Sequence, residues 1–250
     1  GAAEGVAGLG DEAVSISGTT SAAADLVAIN AATTGVVTIA STNITGSSSD
    51  VAAVYAANGA AEGVAGLNNE TVTITGSSAA AADLVAINAA TTGVVTVNST
   101  TITGTAANLV TTYAAQGAAE GIDGLGNEAV TVSGASSAAA DLNTVNAATT
   151  GVVTVNSTTI TGTAAAVKTA YAAQGVSEGI DGLGNEAVTI SGASSAAADL
   201  VAINTATTGV VTINSTTITG SAADVAAVYA AQGAAEGVAG LGDEAVSISG

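Results

Sequence analysis

The sequence predicts an α/β repeat solenoid of stacked coils, each made of two β-strands followed by one α-helix. Three observations lead to this prediction: a strict internal period, paired strand-like runs, and alanine-rich segments with helical features. The run GLGNEAVTISG at 182–192 recurs in closely related form at 8–18, 66–76, 124–134 and 240–250. The copies follow a constant 58-residue period, without insertion or deletion. Such self-similarity is typical of solenoids.

The period divides the chain into one partial unit and four full units. They cover residues 1–18, 19–76, 77–134, 135–192 and 193–250. Each unit contains two similar coils of about 29 residues, because Ile190, Ile218 and Ile248 recur at nearly even spacing. Residues 1–18 are identical to 233–250. We therefore expect a 232-residue super-period in a longer array, or ends that are covered by copies of the same unit.

The first helix of the last unit is predicted from Ser194 to Ile203. Serine is expected at its N-cap, and Asp199 lies in its first turn, where an acid interacts favourably with the helix dipole. Gly209 follows its end, and Leu200 and Ile203 mark the buried side. Asp25, Asp83 and Asp141 occupy the same position in the other units and have the same explanation.

The second helix is predicted from Ser221 to Gln232. Ser221 and Asp224 form a pair that resembles a capping box, and Gly233 ends the helix. Its apolar side consists of Val225, Val228 and Tyr229.

Two short strands are predicted between these helices, from Val210 to Gly220. Valine and isoleucine alternate with threonine, and Asn214-Ser215 supplies a turn in the middle. The other coil repeats the pattern from Val238 to Ile248 around a Gly-Asp-Glu turn.

Strand and helix spacings favour a particular architecture. Two strands advance about 9.6 Å, and packed helices lie about 8–10 Å apart, so one helix matches two strands. The prediction is an elongated two-layer rod with a sheet on one side and helices on the other. The alternative is a β-helix in which the alanine-rich segments are not helical.

The composition excludes several classes of function. The chain has no His, Cys, Met, Trp, Phe or Pro, and Lys168 is its only basic residue. Because acid–base and nucleophilic catalysis depend on such groups, we do not expect an enzyme. The net charge of −19 argues against nucleic acid as a partner. No 18-residue apolar run is present, so membrane insertion is not expected.

Two rows of acidic residues recur with the period. The first comprises Glu12, Glu70, Glu128, Glu186 and Glu244, with Asp243 beside the last. The second comprises Glu4, Glu62, Glu120, Glu178 and Glu236, joined by Asp123 and Asp181. Carboxylates in loops are ligands for calcium, so the rows are a candidate metal site and calcium is the one cofactor considered. The alternative is a solvated acidic rim.

Three further sets of residues have a functional and a structural interpretation. Tyr55, Tyr113, Tyr171 and Tyr229 either mediate self-association or bury their rings with the hydroxyl at the rim. Threonine pairs such as Thr217 and Thr219 either bind a regular surface such as ice or are ordinary strand residues. Asn98, Asn156 and Asn214 lie in Asn-Ser-Thr sequons, which are also good turn sequences.

The phrases DLVAINAATTGVVT, TTITGTAA and GLGNEAVT resemble repeats of very large secreted surface proteins of marine bacteria, including cyanobacteria. This resemblance implies an extracellular or cell-surface protein. We therefore expect a structural fibre, filament, sheath or stalk that self-associates end to end or continues in a longer chain. The alternative is an adhesin that binds a surface, glycan or ice through the threonine-rich strands or the acidic turns.

Overall fold

The computed structural model describes residues 9–249, and it shows repeated strand–helix units with parallel sheets, a solenoid-like α/β repeat fold. Within these residues the helices are α1 (Ala23–Ala32), α2 (Ser48–Ala56), α3 (Ala81–Ala90), α4 (Ala106–Ala114), α5 (Ala139–Ala148), α6 (Ala164–Ala172), α7 (Ala197–Ala206) and α8 (Ala222–Ala230). The strands are β1 (Val14–Ile16), β2 (Thr20–Ala22), β3 (Val37–Ile39), β4 (Asn43–Gly46), β5 (Val64–Ala65), β6 (Thr71–Ile74), β7 (Ser78–Ala80), β8 (Val95–Val97), β9 (Thr101–Gly104), β10 (Ile122–Asp123), β11 (Ala129–Val132), β12 (Ser136–Ala138), β13 (Val153–Val155), β14 (Thr159–Gly162), β15 (Ile180–Asp181), β16 (Ala187–Ile190), β17 (Ser194–Ala196), β18 (Val211–Ile213), β19 (Thr217–Gly220), β20 (Val238–Ala239) and β21 (Ala245–Ile248).

The chain forms two compact units. Unit 1 contains residues up to 102 together with 111–125, and unit 2 contains 103–110 together with the residues from 126 onward. Sheets within unit 1 have the orders β1–β3–β5 and β2–β4–β6–β8–β10. Strands within unit 2 follow the orders β11–β13–β15, β12–β14–β16–β18–β20 and β17–β19–β21. All these neighbours pair in parallel, so each pair needs a long crossover, which the helices supply.

The two strands of one coil lie in different sheets. In unit 2, β18 pairs with β16 and β20, whereas β19 pairs with β17 and β21. The turn between β18 and β19 therefore redirects the chain from one sheet to another. This differs from the single sheet predicted from the sequence, because each strand finds its partners in the preceding and following coils.

The predicted alternation of buried and exposed residues is confirmed in these strands. Val211, Ile213 and Ile218 are buried, while Thr212 is partly exposed. Leu200 and Ile203 of α7 complete the core beneath them. The alanine-rich segments are helical, in keeping with the high helix propensity of alanine, and the β-helix alternative is therefore wrong.

The two kinds of helix begin differently. Ser221 caps α8 as predicted: its Oγ accepts a hydrogen bond from the Asp224 amide at 3.2 Å and donates to the Asp224 carboxylate at 2.7 Å. The predicted serine cap of the first helix is wrong, because Ser194 and Ser195 belong to β17 and α7 begins at Ala197. Pairing of β17 with β19 outweighs the local capping preference of serine.

Candidate functional site

The five turn glutamates, Glu12, Glu70, Glu128, Glu186 and Glu244, share one local hydrogen bond. Each carboxylate accepts the backbone amide two residues earlier, at distances that run from 2.6 Å for Gly10 and Glu12 to 2.9 Å for Gly126 and Glu128. The carboxylate thereby closes the turn that precedes a strand and satisfies a backbone amide of that turn. The row of acids is thus a set of turn-closing groups.

Tyrosine hydroxyls reach the same carboxylates. Tyr55 donates to Glu70 Oε2 at 3.3 Å, and Tyr171 donates to Glu186 Oε2 at 2.9 Å. Tyr229 makes the equivalent hydrogen bond to Glu244. The structure therefore brings together two rows of residues that the sequence analysis treated separately.

Burial differs along these rows. Glu70, Glu128 and Glu186 are no more than 3% exposed, whereas Glu12 and Glu244 are half-buried and Asp243 is exposed. The rings of Tyr55, Tyr113 and Tyr171 are each 7% exposed, and Tyr229 is half-buried. Each hydroxyl of Tyr55 and Tyr171 contacts an inner carboxylate, so it does not lie at a solvent rim. A role of these tyrosines in self-association stays a prediction.

The environment favours neutral tyrosine and charged glutamate. Burial, together with the nearby carboxylate, raises the pKa of Tyr55 and of Tyr171 well above the usual value. The hydrogen bond to Glu244 raises the pKa of Tyr229 to about 12. At Glu12 the Gly10 amide lowers the pKa of the carboxyl. Burial opposes ionisation of Glu244, but the Tyr229 hydroxyl and the Gly242 amide together hold its pKa below the usual value.

The backbone carbonyls of Glu12, Glu70, Glu128 and Glu186 are held as well. Thr207 Oγ1 donates to the Glu186 carbonyl at 2.9 Å and accepts the Gly209 amide at 3.0 Å. Thr33, Thr91 and Thr149 make the same contact with their turn glutamates. A Cβ on Gly209 would lie 2.0 Å from the Glu186 carbonyl oxygen, so only glycine fits there. The turn glutamate therefore joins its own strand to the end of a helix in the same coil.

The second acidic row remains on the surface. Glu62, Glu120, Glu178 and Glu236 are exposed, as are Asp123 and Asp181, while Glu4 lies outside the described residues. Among residues 9–249, no group of three carboxylates lies close enough together to hold a metal ion. Calcium binding by either row therefore remains a proposal.

Two turn cavities in unit 2 occupy equivalent positions one repeat apart. The first, of about 380 Å³, is lined by Asn156, Ser157, Thr158, Asn185 and Glu186 among others. The second, of about 320 Å³, is lined by the corresponding residues Asn214, Ser215, Thr216, Asp243 and Glu244. Each cavity is lined by two turns: one connects the two strands of a coil, and the other contains a turn glutamate. The sequon asparagines Asn98, Asn156 and Asn214 are all exposed.

Sequence reasoning did not find the buried serine pairs. Ser137 and Ser157 place their Oγ atoms 2.7 Å apart, and the pairs Ser21–Ser41 and Ser195–Ser215 are equivalent. In the second repeat, Ala79 occupies the position of Ser21, Ser137 and Ser195. Ser99, which corresponds to Ser41, Ser157 and Ser215, therefore has a buried Oγ without a hydrogen-bond partner. In a strict repeat every recurring pair keeps a constant spacing, so the 20-residue spacing of these serines did not distinguish them in the sequence.

Two first-turn aspartates contact the helix that precedes their own. Ser48 of α2 donates to Asp83 of α3 at 2.9 Å, and Lys168 of α6 forms an ion pair with Asp199 of α7 at 2.7 Å. Asp83 and Asp199 thus contact the preceding helix in addition to their own helix dipole. None of the helices within residues 9–249 has the length and hydropathy that crossing a bilayer requires.

Comparison with protein-family models, with curated proteins and with solved structures finds no match for this chain.

Proposed function

We propose that this chain is an extracellular structural repeat protein that forms part of a cell-surface fibre, filament, sheath or stalk. The observation that carries the proposal is the pairing of strands between coils. In unit 2, β16 is covered by β14 on one side and β18 on the other, so a coil buries its core only against its neighbours. Such a design extends by adding units.

The side chains that recur in every unit support this proposal. The turn glutamates accept backbone amides, and those at 70, 186 and 244 also accept a tyrosine hydroxyl, so these groups are used within the fold. The resemblance to secreted repeat proteins and the solubilising net charge of −19 favour the extracellular location. An elongated array in which each coil stacks on the next is part of the proposal.

The test is a series of chains with one, two or three additional 58-residue units. An elongated array predicts that each added unit lengthens the particle by about 20 Å in X-ray scattering and in electron micrographs. Dimensions that grow only as the cube root of mass would contradict it. Antibody labelling of intact source cells tests the surface location, and labelling that requires permeabilised cells would contradict that part.

The second candidate is a binding array, and the threonine ladders favour it. In unit 2, Thr161, Thr189 and Thr212 lie in register on three adjacent strands and are partly exposed. A regular row of hydroxyl and methyl groups suits a repetitive ligand such as a glycan or ice. The unmodified chain should bind a glycan panel or ice. Replacement of these three threonines by lysine should abolish this binding without lowering the thermal midpoint by more than a few degrees.

Calcium at the turn cavities is the corresponding metal proposal. Asp243, Glu244 and Asn214 offer oxygen atoms around the second cavity, and such ligands suit calcium. Titration with calcium in a calorimeter tests it, with the Asp243→Asn variant as the control.

A further inference from the structure

Each full 58-residue repeat contains one exposed asparagine in a sequon for N-glycosylation, although its position differs in the first of these repeats. In the other three repeats the sequon is Asn-Ser-Thr and begins at Asn98, Asn156 and Asn214. The corresponding residue in repeat 19–76 is Ala40. That repeat has the sequon Asn69-Glu70-Thr71 instead, because a threonine stands where the other repeats have alanine.

The two sequon positions belong to two turns that line one cavity. Ala40 and Asn69 correspond to Asn156 and Asn185 in repeat 135–192. Asn156 and Asn185 both line the cavity of about 380 Å³ in unit 2. The repeats thus differ in which turn carries the sequon, but not in the pair of turns to which it belongs.

The backbone does not require asparagine at these turns. Asparagine is favoured in turns because it tolerates a left-handed conformation and bonds to nearby backbone groups. Within residues 9–249, however, Glu178 is the only non-glycine residue with a positive φ. Ala40 also makes the same backbone hydrogen bond: its amide donates to the Ile16 carbonyl at 3.1 Å, as the Asn156 amide donates to the Val132 carbonyl at 3.0 Å. Turn formation therefore does not account for the asparagines.

The side-chain amides of the four turn asparagines are not used within the fold. All four residues are exposed, and in the part of the chain that the structure describes none of their side chains forms a hydrogen bond. Other asparagines differ: Asn58 Nδ2 donates to the Leu67 carbonyl at 3.0 Å, and Asn143 Nδ2 donates to the Ala166 carbonyl at 2.9 Å. The nitrogen of each turn asparagine is thus accessible for a covalent bond.

A fifth sequon, Asn43-Ile44-Thr45, has a different environment. Asn43 lies in β4 and is half-buried. Its Oδ1 accepts hydrogen bonds from Thr71 at 3.2 Å and from Thr73 at 3.3 Å, both on the neighbouring strand β6. A bulky group on this carboxamide would disturb these contacts between strands. Asn43 is therefore an internal control, a sequon asparagine whose side chain is already used.

We propose that Asn69, Asn98, Asn156 and Asn214, but not Asn43, carry N-linked glycans. The carboxamide nitrogen forms a bond to the anomeric carbon of a sugar, while the bond from that carbon to the diphosphate of a lipid-linked glycosyl donor breaks. The amide loses a proton, and the lipid diphosphate is the leaving group. A glycan is bulky and hydrophilic, so it would cover the turns from which it projects. This inference rests on the proposed extracellular location, because such sequons are modified in secreted proteins.

Site occupancy in the chain isolated from its source cells tests the proposal. An amidase that releases N-glycans converts each modified asparagine into aspartate, and water enriched in heavy oxygen labels that aspartate for mass spectrometry. We expect label at the four turn asparagines and none at Asn43. A parallel sample without the amidase corrects for spontaneous deamidation. Absence of label at all four residues, or equal label at Asn43, would overturn the proposal.

Substitutions in two equivalent turns provide a loss and a gain of one glycan in the same cells. Thr158→Ala removes the hydroxyl that the sequon of Asn156 requires, so the intact mass should fall by one glycan. Thr158→Ser is the matched control and should keep the glycan. Ala40→Asn completes a sequon with Ser41 and Thr42 and should add one glycan. An unchanged glycan mass with both Thr158→Ala and Ala40→Asn would refute modification at these turns.

Antibody labelling of intact cells separates this inference from the proposed function. A chain that is labelled at the surface but unmodified at the four asparagines would retain the extracellular function and eliminate glycosylation. Labelling that requires permeabilised cells would contradict the proposed location itself.

Discussion

At the scale of single residues, the most informative feature is the hydrogen bond between a helix tyrosine and a turn glutamate. Tyr171 and Glu186 are separated by 15 residues, and both are buried. The carboxylate also accepts the Gly184 amide at 2.7 Å. A buried carboxylate requires such donors, because an uncompensated charge in the core is costly. The tyrosine therefore acts as an internal support for the turn.

Removal of one hydroxyl tests this support. Tyr171→Phe should lower the free energy of unfolding by about 1–3 kcal/mol, since the buried Glu186 carboxyl group loses a hydrogen-bond donor. Urea titration followed by circular dichroism measures the change. Thr169→Ala is the control, because it removes an exposed hydroxyl on the same helix that donates to the Ala165 carbonyl. A Tyr171→Phe effect no larger than that of the control would refute the supporting role.

The tyrosines also predict a loss of stability in alkali. Their pKa is raised on folding, from 10.0 to about 12 for Tyr229, and burial also raises the pKa of Tyr55 and Tyr171. A raised pKa means that the contribution is complete below about pH 10 and is lost as the pH rises through the folded values. The unfolding free energy should therefore fall steadily between about pH 10 and pH 12. A constant value over this range would contradict it, and Tyr229→Phe should reduce the slope.

The serine pairs allow a prediction in the stabilising direction. Ala79→Ser should restore a partner for the buried Ser99 hydroxyl and raise the unfolding free energy by about 0.5–1.5 kcal/mol. Ser137→Ala, which breaks the intact pair with Ser157, should act in the opposite direction. Thermal melts of both variants and of the unmodified chain measure these changes in stability. A lower midpoint for Ala79→Ser would show that the site does not tolerate the hydroxyl.

At the scale of elements, tertiary pairing decides where strands end and helices begin. Ser195 has the sequence context of a helix cap, yet it lies in β17 opposite Ile218 and its Oγ contacts Ser215. Ser221 has no such strand partner and caps α8. The same residue type thus has two roles, and the neighbouring coil determines which one applies.

This contrast gives a test with an internal control. Ser221→Ala should cost about 0.5–2 kcal/mol through loss of the N-cap. Ser194→Ala, at the exposed position where the sequence predicted a cap, should change stability by no more than about 0.5 kcal/mol. The two variants are compared by urea titration. A larger effect at Ser194 than at Ser221 would reverse the assignment of the caps.

Much of the local structure could be predicted from the sequence, and the pairing could not. Alternation in 210–220 identified the strands because burial of Val211 and Ile213 follows a period of two. The partners of β18 lie in other coils, and no local pattern specifies them. The hydrogen bond between Tyr171 and Glu186 could not be predicted from the sequence for a related reason. In a strict repeat, every pair of recurring residues has constant spacing, so the spacing alone does not reveal contact.

At the scale of the whole molecule, charge opposes the compact state. The chain carries −19 with a single lysine, and that lysine pairs with Asp199. Repulsion among so many acids lowers stability, and dissolved salt screens it. A high salt concentration is therefore the environment that suits this composition.

A salt series measures the repulsion. Raising sodium chloride from about 10 mM to about 500 mM should increase stability by about 1 kcal/mol, or about 2–4 °C in the thermal midpoint. Calcium at matched ionic strength should give a further increase only if the turn cavities bind it. A midpoint that is independent of sodium chloride would show that the acidic rows are too far apart to repel one another appreciably.

The short sequence distance between neighbouring strands has a consequence for how the chain folds. Asn43 of β4 and its partner Thr71 of β6 are 28 residues apart, and Thr42 contacts Thr19 at a separation of 23 residues. Closing such short loops costs little entropy, so contacts form rapidly and in succession. A nascent or translocating polypeptide of this kind needs to expose only about 30 residues before the next coil docks on the last one. Synthesis and folding can then proceed together, one coil after another, whatever the final number of repeats.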